Sequence, residues 1–420
     1  MLANYLFVLS DKLLRMALGL ITNVLLVAYL SPFDLGSWNY VLSVAAIAGA
    51  VSIFSGLDVV VIRELAQADA SERGRIVGSV VALRCLTGAA ATAGSVAFVT
   101  WHGEWPLVQL ILIVALSYFT QVLHALDYFF QSQLLFKFSA LVLNATTMVG
   151  FIVKIVLMWL HLLNLDLLCW ILVLESLLVG TGYLWLVVRN FEEIAPQAWR
   201  FDTGLVWRYT HAGLALLASG LVSVAIARIS IFQIDSYFDR ASVAVFGLYV
   251  LVFEGILLAN YSLANAYFPR IIVKQAIPAV YARDLRTLFK RQIKLWAVIT
   301  GGFALIVLAG RHWIEPFINP VYRQSLTMIL FGLPVTALFI ANFYLLQFII
   351  IPQGNQSHQL VRALLGMCVL LAANSVFFHD STVVMVVVSM ALSQLAILGF
   401  TLFMFRKKIN ELWRAAKGLA

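Results

Sequence analysis

Charge is scarce in this sequence. Asp, Glu, Lys and Arg make up 11% of its 420 residues, less than half of the roughly one quarter usual for soluble domains. So few charges cannot cover a water-soluble surface, which excludes a soluble enzyme and a disordered chain. Cysteine is rarer still: Cys85, Cys169 and Cys368 all fall inside apolar runs. That excludes a disulfide-stapled secreted domain, and the three are expected to be small, buried, unpaired thiols. No phosphate loop of the form GxxxxGKS/T, no HExxH and no GxSxG occurs, so nothing points to ATP hydrolysis or to those hydrolytic chemistries. Long loops are missing as well. Outer connections of about a dozen residues and inner ones under about thirty leave no room for a catalytic domain, and the chain is not expected to be an enzyme.

What the sequence has in quantity is apolar side chains, 62% of the total, in runs of about 18–25, enough to cross a bilayer as helices. The expected fold is all-α and polytopic, with about 12 spans near 13–30, 38–57, 76–100, 107–126, 140–160, 167–188, 209–232, 243–265, 295–310, 325–351, 362–378 and 383–405. The first cations, Lys12 and Arg15, follow the opening apolar stretch, so the first span is expected to stay as an anchor.

With twelve spans the connections alternate between two sides. One side collects 22 of the 28 Lys and Arg residues and the other only Arg240, Arg311 and Arg323. The excess of positive charge places the first side, and both termini, in the cytoplasm. The formal charge of +8 is mainly a topology signal and not a nucleic-acid footprint. The segment Arg270 to Lys294 could also grip anionic lipid head groups.

Short strings recur between the halves. Tyr29 to Gly36, running into Trp38, faces Tyr237 to Ala244, running into Phe246, at an offset of 208 residues. Arg63 faces Arg270 at almost the same offset. Six spans per half give both halves one orientation, a parallel repeat. The expected organisation is an N-lobe at 1–188, a cytoplasmic linker at 189–208 carrying Pro196, a C-lobe at 209–405 and a basic tail at 406–420.

A charge at bilayer depth costs about 2.5–3.5 kcal/mol on insertion scales, so each demands a partner or a wet cavity. At 100° per residue, Ser117, Thr120, Gln121, His124, Asp127 and Gln131 fall within about 60° of His124. Such a face is either a polar seam against another helix or the wall of a water-filled cavity, and the cavity is the expectation. In span five Thr147, Gly150, Lys154 and His161 lie within about 40° of Lys154, and in span eight Gly247, Glu254, Tyr261 and Asn265 lie within about 20° of Glu254. Arg84 sits on a small-residue face of span three, and Glu175 near the middle of span six. Arg228, with apolar face-mates, is a weaker candidate that could pair with Asp235. Pro334 marks a kink or hinge in span ten. Together these predict a cationic cavity of Arg84, Lys154 and Arg228 for an anionic substrate, lined by Ser117, Gln121, His124, Tyr261 and Asn265. Asp127, Glu175 and Glu254 could balance those charges or bind a coupling H⁺ or Na⁺. No metal site or other cofactor is expected. Asp58 and Arg63 are either an inner gate or an ion pair at a helix end.

The stretches Asn23 to Tyr40 and Ser55 to Leu65, with Tyr267 to Arg270 later on, resemble Wzx-type O-antigen and polysaccharide flippases of the multidrug/oligosaccharidyl-lipid/polysaccharide (MOP) exporter superfamily. The resemblance implies a transporter in a bacterial inner membrane. It would carry a polyprenyl-pyrophosphate-linked oligosaccharide to the outer leaflet by alternating access, driven by an ion gradient. Its partners would be membrane lipids and the polysaccharide polymerase and chain-length machinery. The alternative is a multidrug or small-solute exporter of the same superfamily, made less expected by the lack of dense acidic pairs in the first spans.

Overall fold

The computed structural model describes residues 2–54, 57–102, 105–272, 277–314, 320–350, 356–379 and 382–416. Among them there is no strand; the chain is all-α. Ten helices are long and apolar enough to cross a membrane, which makes it a polytopic membrane protein. Its large exposed side chains, among them Leu141, Ile152, Trp185, Val298 and Leu305, are what a lipid-facing surface requires.

The chain forms two compact units, Met1–Val224 and Ala225–Ala420. The first contains α1 (Leu2–Tyr29), α2 (Pro32–Ser52), α3 (Leu57–Gln67), α4 (Ala70–His102), α5 (Trp105–Thr120), α6 (Asp127–Ser132), α7 (Phe136–Trp159) and α8 (Leu165–Asn190). Helix α9 (Thr203–Tyr237) contains the boundary. The second unit continues with α10 (Arg240–Ile272), α11 (Pro278–Ile314), α12 (Arg323–Leu345), α13 (Gln356–Phe377), α14 (Met385–Met404) and α15 (Arg406–Ala416).

Local chemistry explains where the helices start. Ser31 caps α2, its hydroxyl oxygen accepting from the Asp34 amide at 3.1 Å, with Pro32 at the first helical position, where no amide proton is missed. Asn164 caps α8 through the Leu167 amide at 2.8 Å. Leu134 (φ 57°) and His161 (φ 55°) take left-handed backbone just after a helix, a turn more often given to glycine. His161 therefore leaves the face of α7 on which sequence spacing puts it, and stacks on Tyr29 at 6.4 Å instead. Helix α12 runs on through Pro334 and closes in a π-helical turn, Leu346–Ile350.

Aromatic rings hold the inner core of the first unit. Phe129, Phe130, Phe138, Tyr183 and Phe191 interlock with centroids 5.3–6.0 Å apart. The segment 189–208, expected to be a linker between lobes, is fastened to this unit. Arg73 makes a forked pair with Glu193 at 2.9 and 3.1 Å, the Asp202 amide donates to the Ser79 hydroxyl at 3.1 Å, and Arg75 reaches Asp202 at 3.6 Å. The unit boundary accordingly falls beyond that segment, at 224/225 inside α9. Two glycines permit the close approach. A Cβ at Gly74 would strike the Ala198 carbonyl, and one at Gly78 would lie 2.9 Å from the Arg200 carbonyl oxygen. The thiols are free, but only Cys169 is buried. Cys85 and Cys368 are exposed, because their helices turn those positions outward.

Gly74→Ala should destabilise the protein despite a gain of about 1 kcal/mol in helix propensity, whereas Gly301→Ala, where a Cβ meets open space, should not. Thermal melting of the two variants in detergent checks this, and an equal or higher melting temperature for Gly74→Ala would contradict the docking of 196–200.

Candidate functional site

Between α5 and α6 the backbone tightens into a six-residue 3₁₀ segment, Gln121–Leu126. Runs of this length are uncommon and mark strain or function. Three residues per turn bring Gln121, His124 and Asp127 onto one line, in the midst of the polar face expected from spacing. The face packs as a seam with α8. His124 Nε2 lies 3.1 Å from the Ser176 carbonyl oxygen, Thr120 donates to the Ser176 hydroxyl at 2.7 Å, and Ser176 donates to the Ser117 carbonyl at 3.4 Å. Gln121 reaches Ser117 at 3.4 Å.

On the other side of the seam lies Arg84 of α4, 4% exposed. Its guanidinium donates to the Gln121 carbonyl at 3.0 Å and to the Tyr128 hydroxyl at 2.6 Å, and it lies over the Tyr128 ring at 4.9 Å, a cation–π contact. Arg84 Nε is buried with no hydrogen-bond partner. Asp127 accepts from Gln131 at 2.8 Å and feels the charges of Arg84 and Arg15 through space. Among the described residues, Arg84 is thus a buried cation hydrogen-bonded only to neutral oxygens.

Lys154 and Glu175, flagged separately in spans five and six, touch each other at 2.7 Å. Gly150, one turn before Lys154, makes this possible: a Cβ there would collide with the Glu175 carboxylate. Lys154 is neutralised, and Glu175 is committed to it.

In the second unit Arg228 pairs with Glu254 at 3.0 Å, not with Asp235. Asp235 is taken by Arg240 at 2.7 Å, which lies closer to it in the turn between α9 and α10. Tyr261 stacks on Phe343 at 4.0 Å. The Asn265 side chain lies outside the described residues.

Asp58 and Arg63 form no ion pair. Five residues apart on α3, they point about 140° away from each other, and Arg63 is exposed. The next residue, Glu64, makes the tie, accepting from Arg208 at 2.7 Å and from the Tyr209 hydroxyl at 2.6 Å. Spacing just beyond span two gave no sign of it, because both partners come from α9.

A second residue missed by sequence reasoning is Arg362 of α13, counted there as a loop cation. It is 5% exposed, donates to the Asn342 carbonyl at 3.3 Å, and leaves Nε and Nη1 buried without partners. The i, i+4, i+8 row of His358, Arg362 and Gly366 was the available signal. Asn342 itself donates to the backbone and side-chain oxygens of Gln394, both at 2.9 Å. Among the described residues no cluster of His, Cys, Asp and Glu could hold a metal ion.

Solved structures share this architecture. The chain is similar to the lipid II flippase MurJ in an inward closed conformation, with TM-score 0.74 and 12% identity over 98% of this chain and 90% of that one. It is also similar to an inward-facing multidrug resistance MATE transporter of the MOP superfamily, with TM-score 0.71 and 13% identity over 95% and 96%. A MOP superfamily transporter from Pyrococcus furiosus gives TM-score 0.66 and 12% identity over 97% and 96%. At such identities the likeness is one of fold: the chain has the fold of these transporters. No protein-family model matches it, and no curated protein matches it in sequence.

Glu175→Gln should lower stability by about 1–3 kcal/mol by stranding the Lys154 charge. The double variant Lys154→Met/Glu175→Leu should recover most of that loss, because replacing a whole pair by apolar groups is often neutral. Melting curves of Lys154→Met, Glu175→Leu and the double variant close the cycle and measure the coupling; additive losses would count against a bonded pair.

Proposed function

We propose that the chain is a flippase for a polyprenyl-pyrophosphate-linked oligosaccharide, moving it from the inner to the outer leaflet of a bacterial inner membrane. Both termini are cytoplasmic on the charge count, the two lobes alternate access, and an H⁺ or Na⁺ gradient drives the cycle. The observation that carries this reading is the pair of buried arginines, one in each unit, with no carboxylate hydrogen-bonded to either among the described residues. Arg84 is held by a carbonyl and a phenol, Arg362 by a carbonyl. A desolvated guanidinium with unused N–H groups favours an anion such as a phosphate. An exporter of organic cations would gain nothing from it. The likeness in fold to a lipid II flippase supports a lipid-linked substrate. Surface polysaccharide assembly would then supply the partners, a polymerase and its chain-length machinery.

A second reading, a multidrug exporter of the same superfamily, draws on the comparable likeness in fold to a multidrug MATE transporter and on the neutralised pairs Lys154–Glu175 and Arg228–Glu254. These pairs remove Lys154 and Arg228 from the set of free cations, so the test falls on the arginines.

Liposomes containing the purified protein and a pyrophosphate-linked oligosaccharide lipid, with an added glycosidase reading outer-leaflet exposure, provide the assay. Arg84→Gln and Arg362→Gln are each expected to slow translocation by at least about tenfold, the loss of one charged hydrogen-bonding group, and Arg84→Lys to retain part of the rate. Melting curves separate this from unfolding. No translocation by the wild type, together with efflux of small cationic dyes, would establish the exporter instead.

A further inference from the structure

Helix α11 has 37 residues, about 55 Å at 1.5 Å per residue, against a hydrocarbon layer of about 30 Å. Part of it must leave that layer, and its cations show which part. Arg283, Arg286, Lys290 and Lys294 are all exposed and fall within about 80° of one another around the helix. The opposite arc, with Tyr281, Leu285 and Leu288, is buried in a core shared with Ala264, Tyr344 and Phe348. Arg291 is turned out of the basic arc and donates to the Tyr267 hydroxyl.

Helix α15 fixes the height of this arc. It begins at Arg406, with Phe405 alone between it and the end of α14 at Met404, so it sits level with the end of a span. Its Leu412 packs against the same core as Tyr281, Leu285 and Leu288. The first turns of α11 therefore lie where a span meets the head groups. There α15 adds the exposed cations Arg406, Lys407 and Arg414, while its Glu411 is engaged by Lys408 at 3.2 Å.

Beside the basic arc stand Phe289 and Ile293, 40% and 46% exposed. A loop turned only to water has no use for exposed apolar side chains between its lysines. Basic and apolar arcs side by side on one helix are the pattern of a helix lying in the head-group boundary of an anionic leaflet.

We propose that this surface of α11 and α15 is a docking site for anionic phospholipid: the basic arc holds lipid phosphates, and Phe289 and Ile293 enter the acyl boundary. The site is separate from Arg84 and Arg362 and does not depend on which substrate is carried.

The test uses the full chain in neutral detergent, mixed with equal amounts of phosphatidylglycerol and phosphatidylcholine of matched acyl chains, with bound lipids counted by native mass spectrometry. Wild type should retain phosphatidylglycerol over phosphatidylcholine by at least fivefold. Arg286→Gln/Lys290→Gln/Lys294→Gln should lose most of that preference, and Phe289→Ser/Ile293→Ser should retain less of both lipids. Arg189→Gln/Arg200→Gln, remote in sequence and in the first unit, should keep the wild-type preference. The variants change exposed side chains, and melting curves verify that they fold. Equal retention of the two lipids by wild type, an undiminished preference in the triple variant, or an equal loss in the Arg189/Arg200 control would overturn the proposal.

Discussion

A charge inside a bilayer must be answered by another charge, a dipole or an aqueous path, because the surrounding hydrocarbon offers none. That constraint organises this protein. Lys154 and Arg228 are answered by carboxylates on neighbouring helices, and the helices are sculpted to permit it. Gly150 gives up its side chain so that Glu175 can reach Lys154. Arg84 is answered differently, by a carbonyl, a phenol and the face of a ring. Neutral groups share the burden of solvating a guanidinium without cancelling its charge, and its attraction for an anion survives. The contrast is one of environment: Lys154 and Arg228 sit against carboxylates, Arg84 against neutral oxygens.

The same contrast orders the two ends of the membrane. Outside the hydrocarbon layer ion pairs become networks among exposed or half-buried groups, such as Arg73 with Glu193 and Arg208 with Glu64. Pairs of this kind contribute little individually. Their work is positional: they pin the segment before α9 and the first turns of α9 to the first unit. Among the described residues no such pair is made by Arg283, Arg286, Lys290 or Lys294 of α11, which is why a lipid surface is the counterpart proposed for them.

Much of this was legible from composition and period. Apolar runs gave the helices, and Arg84, Lys154, Glu175 and Glu254 stood out as isolated charges within them. Pairing was not legible, because it depends on which helices become neighbours. Lys154 and Glu175 lie 21 residues apart on separate helices, and Arg228 chose Glu254 over the nearer Asp235. The ion pair read as one alternative for Asp58 and Arg63 does not form, since helix arithmetic alone turns those side chains about 140° apart. Arg362 was hidden by its place near a span's edge, where a cation is expected to lie in water. The polar residues of span four, expected to line a cavity, pack in part against α8, and a fixed 100° per residue could not foresee that the backbone changes its pitch there.

That change of pitch has a mechanical side. Six residues at about 120° each, in place of about 100°, turn everything after Leu126 by about 120° and lengthen the rod by about 3 Å relative to an unbroken α-helix. Tyr128 meets Arg84 only because of this offset. Were the six residues to rewind, the phenol would swing a third of a turn away and leave the guanidinium with the Gln121 carbonyl alone. The pitch of these six residues thus sets which hydroxyl the guanidinium can reach.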